Sequence, residues 1–179
     1  KVSDVVNVML PVSLAILAGR LRSKYITLSC AEVFDGAKGN YAEEDTDFTL
    51  SDPVGKQKIT AHSFIRAQTL ESTALRIGRV LGIGLPHRVS FFDRIRSGAG
   101  DKQAFEASKK KKRSYVSTTS FVLAMEKVLA GEFPSRHRVL HLGGANITEF
   151  ELVQSWYSLM GTDPKLVTER DDAKHDLSL

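Results

Sequence analysis

Tyr25-Ile26-Thr27-Leu28-Ser29-Cys30 is a β-branched and aromatic run with the make-up of a buried strand, and Asp35-Gly36 followed by Gly39-Asn40 marks a loop after it. Upstream, residues 5–21 carry Val6, Leu10, Leu14, Leu17 and Leu21 at helical spacing, with Pro11 obliged to sit near a first turn or to kink the helix. Downstream, residues 54–69 place Ile59, Ala61, His62, Ile65 and Ala67 at helical offsets, and Ala74-Leu75-Arg76-Ile77-Gly78 reads as a second short strand. Residues 88–96 and 118–129 read as further helices, and Val139-Leu140-His141-Leu142-Gly143-Gly144 as a third strand. Thr148, with Glu151 three positions on, has the form of a capping box, and the helix it opens stops at Gly161 with Pro164 just beyond. Short strands separated by helices favour parallel pairing, because a parallel connection needs a crossover long enough to hold a helix. The expected class is therefore α/β, a doubly wound parallel sheet whose ligand lies at the carboxyl ends of the strands.

Composition narrows the function classes. The 179 residues are 42% hydrophobic and 26% charged, which excludes disordered and collagen-like chains. The most apolar stretch, 5–17, is broken by Asn7, Pro11 and Ser13, so no membrane span is expected. One cysteine, Cys30, can form neither an internal disulfide nor a thiolate metal site, which fits a reducing, cytoplasmic compartment. The chain opens on Lys1-Val2-Ser3-Asp4, with no initiator methionine and no signal-peptide progression, and is expected to be clipped.

The net charge of +4 is small enough for one local run, Lys109-Lys110-Lys111-Lys112-Arg113, to supply it. It lacks interleaved aromatics, so a solvated, mobile loop is expected in preference to a nucleic-acid surface. The acidic run Glu43-Glu44-Asp45-Thr46-Asp47 reads as another loop, with no histidine near it in sequence to make a metal site.

The strand ends carry a family likeness. Ser29-Cys30-Ala31-Glu32-Val33-Phe34-Asp35-Gly36 resembles S-T-D-Y-V-F-D-G, Tyr41-Ala42-Glu43-Glu44-Asp45 resembles Y-x-E-x-D, and Val54-Gly55-Lys56-Gln57-Lys58 resembles Y-G-x-x-K at a helix start. Leu75-Arg76-Ile77-Gly78-Arg79-Val80-Leu81-Gly82 resembles L-R-x-x-x-x-Y-G, and the likeness continues through Arg113-Ser114-Tyr115-Val116-Ser117 and 139–144 to Asp176-Leu177-Ser178-Leu179. In this order the segments resemble the extended short-chain dehydrogenase/reductases, and within them the dTDP-4-dehydrorhamnose reductase branch.

The resemblance implies a Rossmann-like fold, with the C-terminal part of the dinucleotide-binding domain over 1–85 and a smaller α/β substrate-binding region over 86–179, whose segment near 118–145 returns to the Rossmann part. It implies NAD(P) as cofactor and a nucleotide sugar as ligand, with hydride transfer to a sugar ketone. Lys58 matches the lysine that lowers the catalytic tyrosine's pKa and holds the nicotinamide ribose, and Ser29 and Cys30 fall at the hydroxyl position of the strand end. Arg76, Arg113 and Tyr115 are the candidates for holding substrate.

Three departures are as informative. Val54 stands at the tyrosine position, and a valine has no proton to give. Cys30 replaces a threonine, and a thiol is a weak hydrogen-bond donor. The Gly-rich turn that cradles a pyrophosphate is also missing; Gly78, Gly82 and Gly84 are only a loose echo of it. The implied account is that the family's first residues, roughly sixty at about 30 per βαβ unit, lie outside this chain.

Plainer readings stand beside each candidate. Cys30 is an inert small side chain, Lys58 a solvated charge, Arg76 one half of an internal ion pair, and Arg113 and Tyr115 loop anchors. His141 is a core histidine, Trp156 and Tyr157 pack, and Asp35 makes a turn. Three functions follow from different classes: a degenerate, non-catalytic ligand-binding or regulatory homologue, with a protein partner or a homodimer; an active carbonyl reductase using Tyr41 or a water held by Ser29 as donor; and a basic nucleic-acid-binding module.

Overall fold

The computed structural model describes residues 2–49, 51–68, 71–133 and 138–179. The chain begins with one continuous helical stretch made of α1 (Val2–Asp4), a π turn over Val5–Met9 and α2 (Leu10–Arg20). Pro11 explains the widened turn: it has no N–H for the carbonyl four residues back, and the Leu10 N–H reaches instead to the Val5 carbonyl, five residues away. The expected break at Asn7, Pro11 and Ser13 does not shorten this helix. Val2–Arg20 spans 19 residues with mean hydropathy 1.8, long and apolar enough by those measures to cross a membrane. Ala15, Val8 and Val12 pack it on Ala61 and Ile65 of α3 (Pro53–Gln68).

β1 (Tyr25–Cys30), β2 (Ser72–Ile77) and β6 (Arg138–Leu142) form a parallel sheet in the order β1-β2-β6. All six residues of β2 are buried, as a central strand covered on both faces requires. Register puts Ser29, Arg76 and His141 in one row and Cys30, Ile77 and Leu142 in the next. Alternation then sends the two rows to opposite faces. Leu75, Ile77, Leu140 and Leu142 pack with Phe121 and Met125 of α5 (Thr118–Ala130).

A second sheet is built around β5 (Lys111–Ser117). Its Tyr115–Ser117 half runs parallel to β3 (Arg79–Leu81), its Lys111–Arg113 half runs parallel to β9 (His175–Leu177), and β7 (Ala145–Thr148) pairs with it antiparallel. β4 (Phe105–Ala107) pairs with β8 (Val167–Glu169), and α4 (Phe91–Gly100) and α6 (Glu149–Leu159) enclose a core of Ile95, Ala99, Val153 and Tyr157.

Two expectations are corrected. The helix placed at 88–96 starts at Phe91, because Ser90 and Asp93 form a capping box and Leu85 and Arg88 close a bridged turn before it. The lysine run is not a mobile loop: Lys111, Lys112 and Arg113 lie in β5, while Lys109 pairs with Glu169, Lys110 with Asp171 and Lys111 with Asp172. Acidic residues on a segment distant in sequence supply the charge balance that the run lacks locally. The expected capping box at Thr148 and Glu151 is present, with Gly161 left-handed after α6.

Candidate functional site

The end of β1 is held against the start of α3 by a missing side chain. A Cβ on Gly55 would lie 2.0 Å from the Glu32 carbonyl oxygen and 2.6 Å from Thr49, so only glycine lets the first turn of α3 rest on the 3-10 turn Ala31–Val33. The Asp52 carboxylate accepts from the Gly55 N–H at 2.6 Å and closes that turn. Lys58 follows one turn on in α3, near enough to Cys30 for its charge to act on the thiol.

Val54 is 44% exposed, so the helix start presents an aliphatic group to solvent. Lys58 is half-buried, and its charge is felt at the Cys30 thiol. Burial, first, and then the Glu32 carboxylate push that thiol up to about 12, with Lys58 opposing. The thiol is therefore protonated at neutral pH and unreactive. Ser29 points to the other face and, with Lys58 and Arg76, lines a cavity of about 470 Å³ between α3, the sheet and residues 43–48.

Arg76 is engaged within the fold. Its Nη1 donates to the Glu43 carbonyl at 3.1 Å and lies 3.1 Å from His141 Nε2, while the guanidinium stacks 4.9 Å from the Phe34 ring and 5.5 Å from Phe48. Burial lowers its pKa, with the charges of Glu43 and Asp45 acting against that. The acidic run thus has a histidine beside it in space: the His141 N–H donates to Glu43 Oε1 at 2.8 Å. Burial, and then Arg76, hold the His141 imidazole below its ordinary pKa, so the ring stays neutral beside the guanidinium.

Tyr41 is 2% exposed, stacked 4.1 Å from Phe34, and its hydroxyl donates to Asp35 Oδ1 at 2.6 Å. Burial, and then that carboxylate, raise its pKa. Asp35 does shape the turn as read, accepting also from the Ala37 N–H, with Gly36 left-handed.

Arg113 and Tyr115 lie elsewhere, in a second cavity of about 240 Å³ with Arg79, Arg94, Lys111 and Arg170. Among the described residues Glu149 is the one carboxylate in its lining. Arg113 Nη1 donates to Glu32 Oε1 at 2.7 Å. Burial works to raise the Glu32 pKa, but the Arg113 charge and the hydrogen bonds from backbone and Cys30 outweigh it and hold the carboxyl below its usual range. The residues proposed from sequence therefore divide: Ser29, Lys58 and Arg76 line the first cavity, Arg113 and Tyr115 the second, and Cys30, on the face of β1 opposite to Ser29, is linked to Arg113 through Glu32. Sequence reading missed Arg79, Arg94, Glu149 and Arg170, which come from β3, α4, α6 and the segment after β8. Only the repetition of arginine in Arg76-Ile77-Gly78-Arg79 could have drawn attention to one of them.

A dinucleotide needs a glycine cradle open to its pyrophosphate. The three glycines of the loose echo are closed: a Cβ would meet the Ser114 carbonyl oxygen at 2.3 Å on Gly78, the Thr118 side chain at 2.4 Å on Gly82 and the Arg88 carbonyl oxygen at 2.3 Å on Gly84. They let strands and turns approach one another. The described residues offer Lys58 and the β1 end to such a cofactor, and no phosphate cradle.

A parallel three-stranded sheet flanked by helices, with a lysine-bearing helix at its strand ends and a basic cavity on an adjoining sheet, defines an α/β protein of Rossmann-like type. The chain belongs to the family of the RmlD substrate binding domain, whose model matches residues 1–175. Among solved structures it is similar to a hypothetical dTDP-4-dehydrorhamnose reductase from Sulfolobus tokodaii, with TM-score 0.81 and 22% identity over 97% of this chain and 61% of that one. It is similar also to the dTDP-4-dehydrorhamnose reductase of Bacillus anthracis in complex with NADP, with TM-score 0.81 and 12% identity over 96% of this chain and 61% of that one. A third is the Bordetella bronchiseptica enzyme WbmG in complex with NAD and UDP, with TM-score 0.73 and 15% identity over 97% of this chain and 53% of that one. The chain thus spans between about half and just over three fifths of the length of these structures. A search of curated proteins finds no match.

Proposed function

We propose that this chain is a degenerate, ligand-binding member of the reductase family that takes a nucleotide sugar or a similar anionic ligand without sustained hydride transfer. One observation carries the reading: the place beside Lys58 where a phenol would protonate the nascent alkoxide holds Val54. The alternative donors are poorly suited, since Cys30 is held at about 12 and the Tyr41 hydroxyl is committed to Asp35. Lys58, Ser29 and Cys30 form the remnant of the nicotinamide side, and Arg113 and Tyr115 serve the ligand, with Arg79, Arg94 and Arg170 around them. NAD(P), when bound, supplies hydride; the closed glycines argue that this chain does not grip the dinucleotide by itself. Ion pairs along the lysine run weigh against a nucleic-acid module. The reading places the protein in the cytoplasm, and gives the exposed apolar face formed by Leu10, Leu14, Leu17 and Leu21 to a second copy or another protein.

The test is NADPH oxidation with a dTDP-4-keto sugar, alongside calorimetric titration of dTDP. The expected result is dTDP binding with no turnover, and the Val54→Tyr variant restores little, because one phenol does not rebuild a cofactor site. Turnover of the unaltered chain at an ordinary enzymatic rate, about 1–1000 per second, overturns the reading.

A further inference from the structure

The cations of the smaller cavity divide by what already holds them. Arg170 Nη2 meets Glu149 Oε2 at 2.6 Å and its Nε meets Asp172 at 2.8 Å, Lys111 reaches Asp172 at 3.1 Å, and Arg113 reaches Glu32 at 2.7 Å. Arg79 and Arg94 instead lie over the Phe91 ring, 4.5 Å and 5.5 Å from its centre. Among the described residues neither has a carboxylate within ion-pair distance. One side of the cavity is thus neutralised by the protein's own acids and the other presents two uncompensated guanidinium groups.

We propose that Glu149 and Glu32 are internal stand-ins for a ligand's anionic oxygens, holding Arg170 and Arg113 until a diphosphate bridges from Arg79 and Arg94 and displaces them. This rests on the reading of the cavity as the anionic ligand's site and adds how that site is regulated. Carboxylate and ligand compete for the same N–H donors, so each weakens the other by the same factor. A single phosphate satisfies Arg79 and Arg94 and leaves the two ion pairs standing. A diphosphate has enough anionic oxygens to replace both carboxylates with charge-assisted hydrogen bonds. The two acids therefore set a threshold on ligand charge. Arg113, freed from Glu32, would also release the acid that hydrogen-bonds Cys30, so occupancy of the basic cavity is communicated to the β1 end.

Titration calorimetry of the whole chain with inorganic pyrophosphate and with inorganic phosphate tests this on the unaltered protein, Glu149→Gln and Glu32→Gln. Glutamine keeps the acceptor that Glu149 offers to the Ser108 N–H and removes only the charge. The expected result is that each variant binds pyrophosphate about threefold to tenfold more tightly, as removal of one partly exposed competing pair allows, and that phosphate, which leaves the pairs standing, gains less, so the preference for pyrophosphate widens. Pyrophosphate binding that appears only in the variants shows that the acids exclude the ligand without being displaced by it, and overturns the proposal. Pyrophosphate bound by the unaltered chain with the same or lower affinity in both variants overturns the stand-in role. No binding by any of the three proteins sinks the anion-site reading itself.

Discussion

Arg113 and Glu32, 81 positions apart in sequence, meet through Nη1 and Oε1 at 2.7 Å and tie the turn after β1 to the strand that centres the second sheet. The pair has a signed consequence for acid stability. Because the Glu32 carboxyl titrates lower in the folded chain than its ordinary value of about 4.3, the stabilisation is complete above that value and drains away as pH falls through the folded pKa. Asp172, drawn down to about 2 by hydrogen bonds from Arg170 and Lys111, extends the same loss to lower pH. Denaturant midpoints measured between about pH 2 and 5 are expected to fall steeply for the unaltered chain and less steeply for Glu32→Gln. Parallel slopes would show that the pair contributes nothing.

Glycine within a helix ordinarily yields stability when replaced by alanine, by roughly 1 kcal/mol. Gly55→Ala is expected to do the reverse, costing about 1–3 kcal/mol, because the new methyl meets backbone that cannot rotate aside. Thermal melts compared with Gly100→Ala, where nothing lies within 4 Å of the added carbon, separate propensity from collision. A melting temperature that rises in both variants contradicts the close approach.

Lys109 and Lys110 pair with Glu169 and Asp171 on open surface, where solvent screening leaves little net gain. Replacing both by alanine is expected to leave the melting temperature unchanged. It is also expected to leave retention on single-stranded DNA at its starting, weak level. Salt-sensitive DNA binding lost in the double variant would promote the nucleic-acid reading.

What could be read along the chain was whatever rests on near neighbours. The runs Tyr25–Cys30 and Val139–Gly144 announce strands by β-branched and apolar content, the second observed as Arg138–Leu142, and Thr148 with Glu151 announces a helix start through a three-residue interaction. The start of α4 was missed, although the Ser90–Asp93 box carries the same kind of signal with aspartate in place of glutamate. The lysine run was misread because its partners at 169–172 are distant in sequence, and local charge density then looks like a reason for solvation. Val54 and Lys58 were visible through a motif. The cluster of Arg79, Arg94 and Arg170 around Arg113 arises only when four elements close, and no local pattern records it.

β5 also bears on how this chain reaches its final form. Its three partners come from residues 79–81, 145–148 and 175–177, and the pairing of Lys111 with His175 closes a loop of roughly 60 residues. On the ribosome the β1-β2 pair can dock early, while the sheet around β5 waits for its last strand to emerge. Until then the Lys109–Arg113 segment lacks its acidic counterweights, and an unzipped cationic edge is the species that chaperones would meet.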